Sequence, residues 1–180
     1  MPTPSKTCSS LHRHTFVRII IMGLGIFLLY ACQPEKAGIP PFKVAELSGK
    51  TISQNDLKDK VAIINFWATT CAVCVREMPE MIHTYERHKK DGLVFIAVAM
   101  AYDPPMYVAD FTKTRKLPFI VAMDSDGRMA QKFGKIEFTP TTLVINKDGK
   151  IIKRYVGEPN WNQLNALLEK SLAQKAKDSI

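Results

Sequence analysis

The sequence predicts an α/β domain whose single mixed sheet has parallel and antiparallel parts and is flanked by helices. Three observations carry this. Residues 61–67 and 93–100 are nearly solid apolar runs, the pattern of strands buried on both faces of a sheet. A stretch with helical periodicity lies between them, and strand, helix, strand in that order implies a right-handed parallel crossover. Later, Lys147-Asp148-Gly149 sits between two further apolar runs, and Asp-Gly in that setting signals a hairpin, so the sheet ends antiparallel.

Taken in order, residues 42–47 and 50–52 flank Ser48-Gly49 as an N-terminal β-hairpin, and Ser53 is placed to cap a short helical turn. The run at 61–67 is the central strand. A helix follows to about residue 90, with Cys74, Met78, Met81, Ile82 and Tyr85 at helical spacing and with Pro79 expected to kink it. After the strand at 93–100 come a polar helix over 105–116, a short strand over 119–123 and a short helix over 127–133. Strands at 141–146 and 150–156 form the hairpin. The last element, residues 161–175, carries Trp161, Leu164, Leu167, Leu168 and Leu172 on one face and should pack on the sheet as a helix. With 180 residues, 46% of them apolar and 23% charged, the chain suits one such domain plus an extension; a second domain of ordinary size does not fit.

The extension is N-terminal. Lys6, Arg13 and Arg18 precede the uncharged run 19–30, which closes on Leu29-Tyr30-Ala31-Cys32, in the order of a secretory signal. The run is shorter than the roughly 20 residues of a spanning helix. Its end resembles a bacterial lipobox, although Tyr30 stands where a small residue is usual. On that reading residues 1–31 are a signal peptide, Cys32 is lipidated and residues 32–41, rich in proline, form a tether; an uncleaved anchor is the alternative. Either way the domain faces outward. The first 32 residues hold three basic and no acidic side chains, which leaves 22 basic and 17 acidic residues and a net charge of +5. The lysines are spread over helices and turns without a long block, which favours a solvated surface facing anionic lipid or acidic partners and no nucleic acid.

Four cysteines are present. Cys8 lies in the signal and Cys32 at the lipid site, so only Cys71 and Cys74 remain to the domain. A disulfide between them closes a very short loop and adds little stability through chain entropy, which suits a bond that opens and closes. A cysteine at a helix N-terminus meets unpaired N–H groups and the positive end of the macrodipole, and both favour thiolate over thiol. Cys71 is therefore the nucleophile, and Cys74, one turn deeper, is placed to resolve the mixed disulfide. Zinc would need two more ligands, and His83 and His88 lie farther along the same helix. Haem attachment would need histidine where Val75 stands. Copper handling through Met78 and Met81 stands against ordinary core packing.

The stretch from Asn65-Phe66-Trp67-Ala68-Thr69-Thr70-Cys71 through Ala72-Val73-Cys74 to Glu77-Met78-Pro79 resembles the active-site segment of thioredoxin-like proteins of the TlpA/ResA kind. Phe138-Thr139-Pro140-Thr141-Thr142 and the Lys147-Asp148-Gly149-Lys150 turn extend the likeness. The resemblance implies a thioredoxin-like fold with a central βα insertion, and an exported, membrane-anchored thiol-disulfide oxidoreductase with no cofactor and no metal. It implies that Cys71 attacks and Cys74 resolves, and that Pro140 is the cis-proline beside the disulfide. Thr139 then offers backbone to an extended substrate, Glu77 influences the cysteines' titration, and Trp67 is an accessory residue. The implied partners are disulfide-bonded exported proteins, apocytochrome c among them, and a membrane thiol-disulfide electron donor, with the protein acting as a monomer on the periplasmic or extracytoplasmic face. A disulfide-forming oxidase and a redox-inert metallochaperone or binding module on the same fold are the alternatives. Three departures stand out: Asn65 replaces the buried aspartate of thioredoxin, Thr70 replaces a tryptophan, and Val73 replaces a proline.

Overall fold

A computed structural model describes residues 38–174. The expected signal peptide, Cys8, the expected lipid site at Cys32 and the first part of the expected tether lie outside the described residues. Strands β1 (Lys43–Glu46), β2 (Thr51–Ser53), β3 (Ala62–Trp67), β4 (Val94–Ala99), β5 (Ile120–Met123), β6 (Thr141–Ile145) and β7 (Ile151–Val156) form one sheet in the order β2-β1-β5-β4-β3-β6-β7. The helices are α1 (Ala72–His88), α2 (Pro105–Arg115), α3 (Arg128–Lys132) and α4 (Trp161–Ala173). None of the described helices is long and apolar enough to cross a membrane.

The expected parallel and antiparallel halves are both present. β3, β4 and β5 run parallel, and the α2–β5 insertion places β5 between β4 and the N-terminal hairpin. β6 and β7 are antiparallel, with Thr141 opposite both Phe66 and Val156. Gly149, at φ +69°, occupies the left-handed position of their turn, and its N–H donates to the carbonyl of Asn146. The chain is already against the domain at Gly38, which bridges to Lys150, while the Ile39 N–H donates to the Gly149 carbonyl.

All six residues of β3 are buried, and their alternation divides the core. Ala62, Ile64 and Phe66 join Phe42, Val44, Leu57 and Phe133 on one face. Ile63 and Trp67 face the other way and pack with Cys74, Met78 and Met81 of α1, Val108 of α2, and Leu164 and Leu168 of α4. Met78 and Met81, at 2% and 1% exposure, are core side chains. Residue 65 also belongs to this second face, so Asn65 is aimed at α1.

The helix starts and stops follow local chemistry. Ser53 begins the turn Gln54–Leu57, with its N–H and hydroxyl both donating to the Asp56 carboxylate. α1 continues as one helix through Pro79. Of the expected apolar residues α1 buries Cys74, Met78 and Met81 and leaves Ile82 and Tyr85 partly exposed, and it also buries Glu77, Thr84 and His88. The His88 ring nitrogen Nε2 meets Asn165 Oδ1 at 3.1 Å and thereby couples α1 to α4. Asn160 caps α4 by accepting from the Gln163 N–H at 3.1 Å. Asn160→Ala should lower unfolding stability by about 1 kcal/mol, measured by urea denaturation, and leave disulfide chemistry intact.

Candidate active site

The segments after β3, β4 and β5, before β6 and after β7 all emerge at one end of the sheet, because the first three strands are parallel and the last two antiparallel to each other. The CXXC pair is there. β3 ends at Trp67, the Cys71 N–H donates back to the Ala68 carbonyl at 3.1 Å, and Cys71 becomes the N-cap of α1. Cys71 and Cys74 are joined in a disulfide with Cα atoms 5.2 Å apart. Cys71 is partly exposed and Cys74 fully buried. The Cys74 N–H points at the Cys71 sulfur at 3.2 Å. Once the bond is reduced, that donor and the helix dipole would act on the Cys71 thiolate.

Pro140 is buried at the same end, and the Thr139–Pro140 peptide is cis. The Pro140 carbonyl accepts from the Gly157 N–H at 2.8 Å, and the Phe138 carbonyl from the Thr141 hydroxyl at 2.7 Å, so both sides of the cis bond are fixed. Thr139 is partly exposed, and its hydroxyl lies 3.4 Å from the Tyr102 hydroxyl. Trp67 does not reach solvent; its ring stacks at a tilt, 5.2 Å from that of Phe111 in α2. Thr70, the residue in place of tryptophan, is exposed.

Glu77 follows Cys74 by three positions on the buried face of α1 and has no exposed surface. Burial raises its carboxyl to about 8, and the nearby charge of Glu158 adds to the rise; the Asn65 amide and Arg76 work against it. Asn65 Nδ2 reaches Glu77 Oε1 at 3.5 Å and donates to the Thr142 hydroxyl at 2.9 Å, linking β3, α1 and β6. Arg76 pairs with Glu158 at 2.9 Å across the exposed rim. The arrangement holds a disulfide at a helix N-terminus, with a buried carboxyl one turn after Cys74 that stays protonated near neutral pH.

One residue of this site was not legible from the sequence. Asp103, only 1% exposed, follows β4 and accepts from both the N–H and the hydroxyl of Thr69, each at 2.6 Å. The turn that presents Cys71 is thus pinned from a segment 34 residues away in sequence. A lone aspartate before Pro104-Pro105 reads as a turn residue, and no periodicity marks it. Asp103→Ala strands both Thr69 donors and should cost about 2 kcal/mol of stability. The rate of Cys71 alkylation should change as well, because its turn loses a fixed geometry; Asp103→Asn, which can still bond both groups, should recover most of both effects.

The sequence pattern of the Redoxin family matches residues 34–172. The thiol-disulfide oxidoreductase ResA of Bacillus thuringiensis subsp. konkukian is 37% identical over 153 residues, spanning 83% of this chain and 87% of the relative. The chain belongs to the ResA-like thiol-disulfide oxidoreductases. ResA of Bacillus subtilis is 31% identical over 81% of this chain and 86% of its own length. Among solved structures, StoA of Bacillus subtilis superposes with a TM-score of 0.62 at 27% identity, covering 73% of this chain and 98% of StoA. A thiol:disulfide interchange protein of the thioredoxin family from Chlorobium tepidum gives a TM-score of 0.71 at 25% identity, over 79% of this chain and all of that one. The fold of this ResA-like enzyme is thioredoxin-like, as its motifs implied.

Proposed function

We propose that this ResA-like enzyme is a lipid-tethered reductase of disulfides in exported proteins, with Cys71 attacking and Cys74 resolving. The observation that carries the reading is the unequal pair: a disulfide at the N-cap of α1 with one sulfur partly exposed and the other buried. In the forward reaction the Cys71 thiolate attacks a substrate disulfide, forming a mixed disulfide and expelling one substrate thiolate. The Cys74 thiolate then attacks the Cys71 sulfur, releases the second substrate thiolate and leaves the Cys71–Cys74 bond. Two electrons pass to the substrate, and a membrane dithiol donor restores them. Thr139 and Pro140 stand just before β6, beside the end of β3 from which Cys71 follows, where an extended substrate segment would lie, and Trp67 supports the strand end from beneath. Glu77, one turn after Cys74 and protonated at neutral pH, adds no negative charge there to oppose the Cys71 thiolate. The signal-like N-terminus and Cys32 support an anchored, extracytoplasmic place, with apocytochrome c among the substrates.

The direction of electron flow is tested by the reduction potential. A value near that of thioredoxin, about −270 mV, is expected, whereas one near the about −120 mV of DsbA would make the enzyme an oxidant. Substrates are identified by expressing Cys74→Ser in the native host and isolating the proteins held on Cys71. Recovery of none, with the reduced wild type binding copper or zinc tightly, would favour a metallochaperone.

A further inference from the structure

Eight of the lysines that are scattered along the sequence lie, in the fold, in segments at the end of the sheet opposite Cys71. The segments at that end are 48–50, 58–60, 89–92, 116–119 and 146–150, which precede the parallel strands or close the hairpins. They hold eight lysines and three aspartates. The segments at the Cys71 end are 68–71, 100–104, 124–127, 134–140 and 157–160, with one lysine and five acidic residues. At the acidic end Asp126 is paired with Arg128 and Glu158 with Arg76, which softens the contrast without reversing it. At the basic end Lys50, Lys58, Lys60, Lys89, Lys90 and Lys116 are all exposed. Among the described residues Lys89 pairs with Glu86 at 2.5 Å, and the charges of Lys50 and Lys60 act on the Asp56 carboxylate.

The chain joins the domain at this same end. Gly38 and Ile39 are bonded to Lys150 and Gly149, and Ile39 lines a hollow with Lys58, Asp59 and Lys147. If Cys32 is the lipid-bearing residue, six residue steps separate it from Gly38, a reach of at most about 20 Å. The domain is thus held with its lysine-rich end near the headgroups.

We propose that this lysine-rich end is a docking face for an anionic phospholipid surface. Lysines within a Debye length of such a surface, about 8–10 Å at physiological ionic strength, are each drawn to it, and a tether of this length lets them come within that range. Docking on this face turns the Cys71 end away from the bilayer, with a six-residue strand, about 20 Å, between the two. The inference rests on the tethered reading of the N-terminus.

The test uses the full lipid-bearing chain on vesicles of phosphatidylcholine alone and on vesicles with about 30% phosphatidylglycerol, with the acylation rate of each lysine followed by mass spectrometry. On anionic vesicles Lys58, Lys60, Lys89 and Lys90 should react at least about threefold more slowly than on neutral ones, and at about 1 M salt the difference should vanish. Lys135, at the other end, and the alkylation of Cys71 should be the same on both. The double variant Lys58→Glu, Lys90→Glu should lose the protection at Lys60 and Lys89 while keeping disulfide reductase activity. Equal rates on the two vesicle types, with the chain floating on both, would overturn the docking face and leave the tether standing. Failure to float on neutral vesicles would overturn the tether, and failure on anionic vesicles as well would overturn both. Shielding of Lys135 and Cys71, or protection by polyglutamate in solution with none by anionic vesicles, would also reject the proposal.

Discussion

Cys71→Ser should reduce disulfide turnover to background, while Cys74→Ser should leave a single attack that ends in a stable mixed disulfide. The difference follows from geometry. Only Cys71 has surface for an incoming sulfur, and only its sulfur is met by the Cys74 N–H and the emerging dipole of α1. A serine at position 71 leaves the remaining thiol buried, so it neither attacks nor is alkylated in the native state. A serine at position 74 leaves the attacking sulfur in place and removes the group that would expel the product. Insulin reduction and thiol trapping distinguish the two variants. In the reduced wild type, Cys71 should titrate below the about 8.5 of a free cysteine, read from the pH dependence of iodoacetamide alkylation. An ordinary value there would remove the physical basis for assigning the nucleophile.

The second large effect concerns Glu77. Its carboxyl, raised to about 8 mainly by burial, binds a proton more tightly in the folded chain than in the unfolded one, where it titrates near 4.5. The sign follows from proton uptake: between those two values the folded state holds more protons, so stability falls as pH rises. The contribution is complete below about pH 4.5 and is lost as pH passes through about 8. From this group alone, unfolding free energy should drop by on the order of 4 kcal/mol between about pH 4 and about pH 9. Glu77→Gln keeps the shape and removes the titration, so its stability should be flatter over that range. On the proposed reading, ionisation of Glu77, one turn after Cys74 on the buried face of α1, would disfavour a second anion at Cys71. The alkylation profile of Cys71 should therefore bend near the Glu77 titration in the wild type and follow a single titration in Glu77→Gln. A wild-type profile without that bend would show that the carboxyl and the thiol do not communicate.

Much of this site could be read from the sequence because its parts are local. Cys71 and Cys74 are separated by one helical turn, and the apolar run of β3 announces the strand that delivers them. Pro140 was marked by its motif, and Asp148-Gly149 by turn chemistry. What the sequence concealed is what only the fold brings together. Asn65 lies within the apolar run of β3 and reads as an interruption; it becomes a link only when Glu77 and Thr142 arrive on either side. The stretch around Asp103 carries no periodic signal, and its carboxylate gains a role only by meeting Thr69. The lysines formed no block along the chain for the same reason. Their common location depends on which ends of β3, β4 and β5 coincide, and that is a property of sheet topology.

The unequal accessibility of the two sulfurs has a consequence for how the oxidised enzyme is recharged. On the proposed reading a bulky donor would approach only the outer sulfur, so the first bond it forms would be with Cys71 and the leaving group would be the sheltered Cys74. Small thiols such as glutathione meet the same restriction. If both half-reactions pass through Cys71 as proposed, reagents that cap it should silence both reduction of clients and renewal of the dithiol.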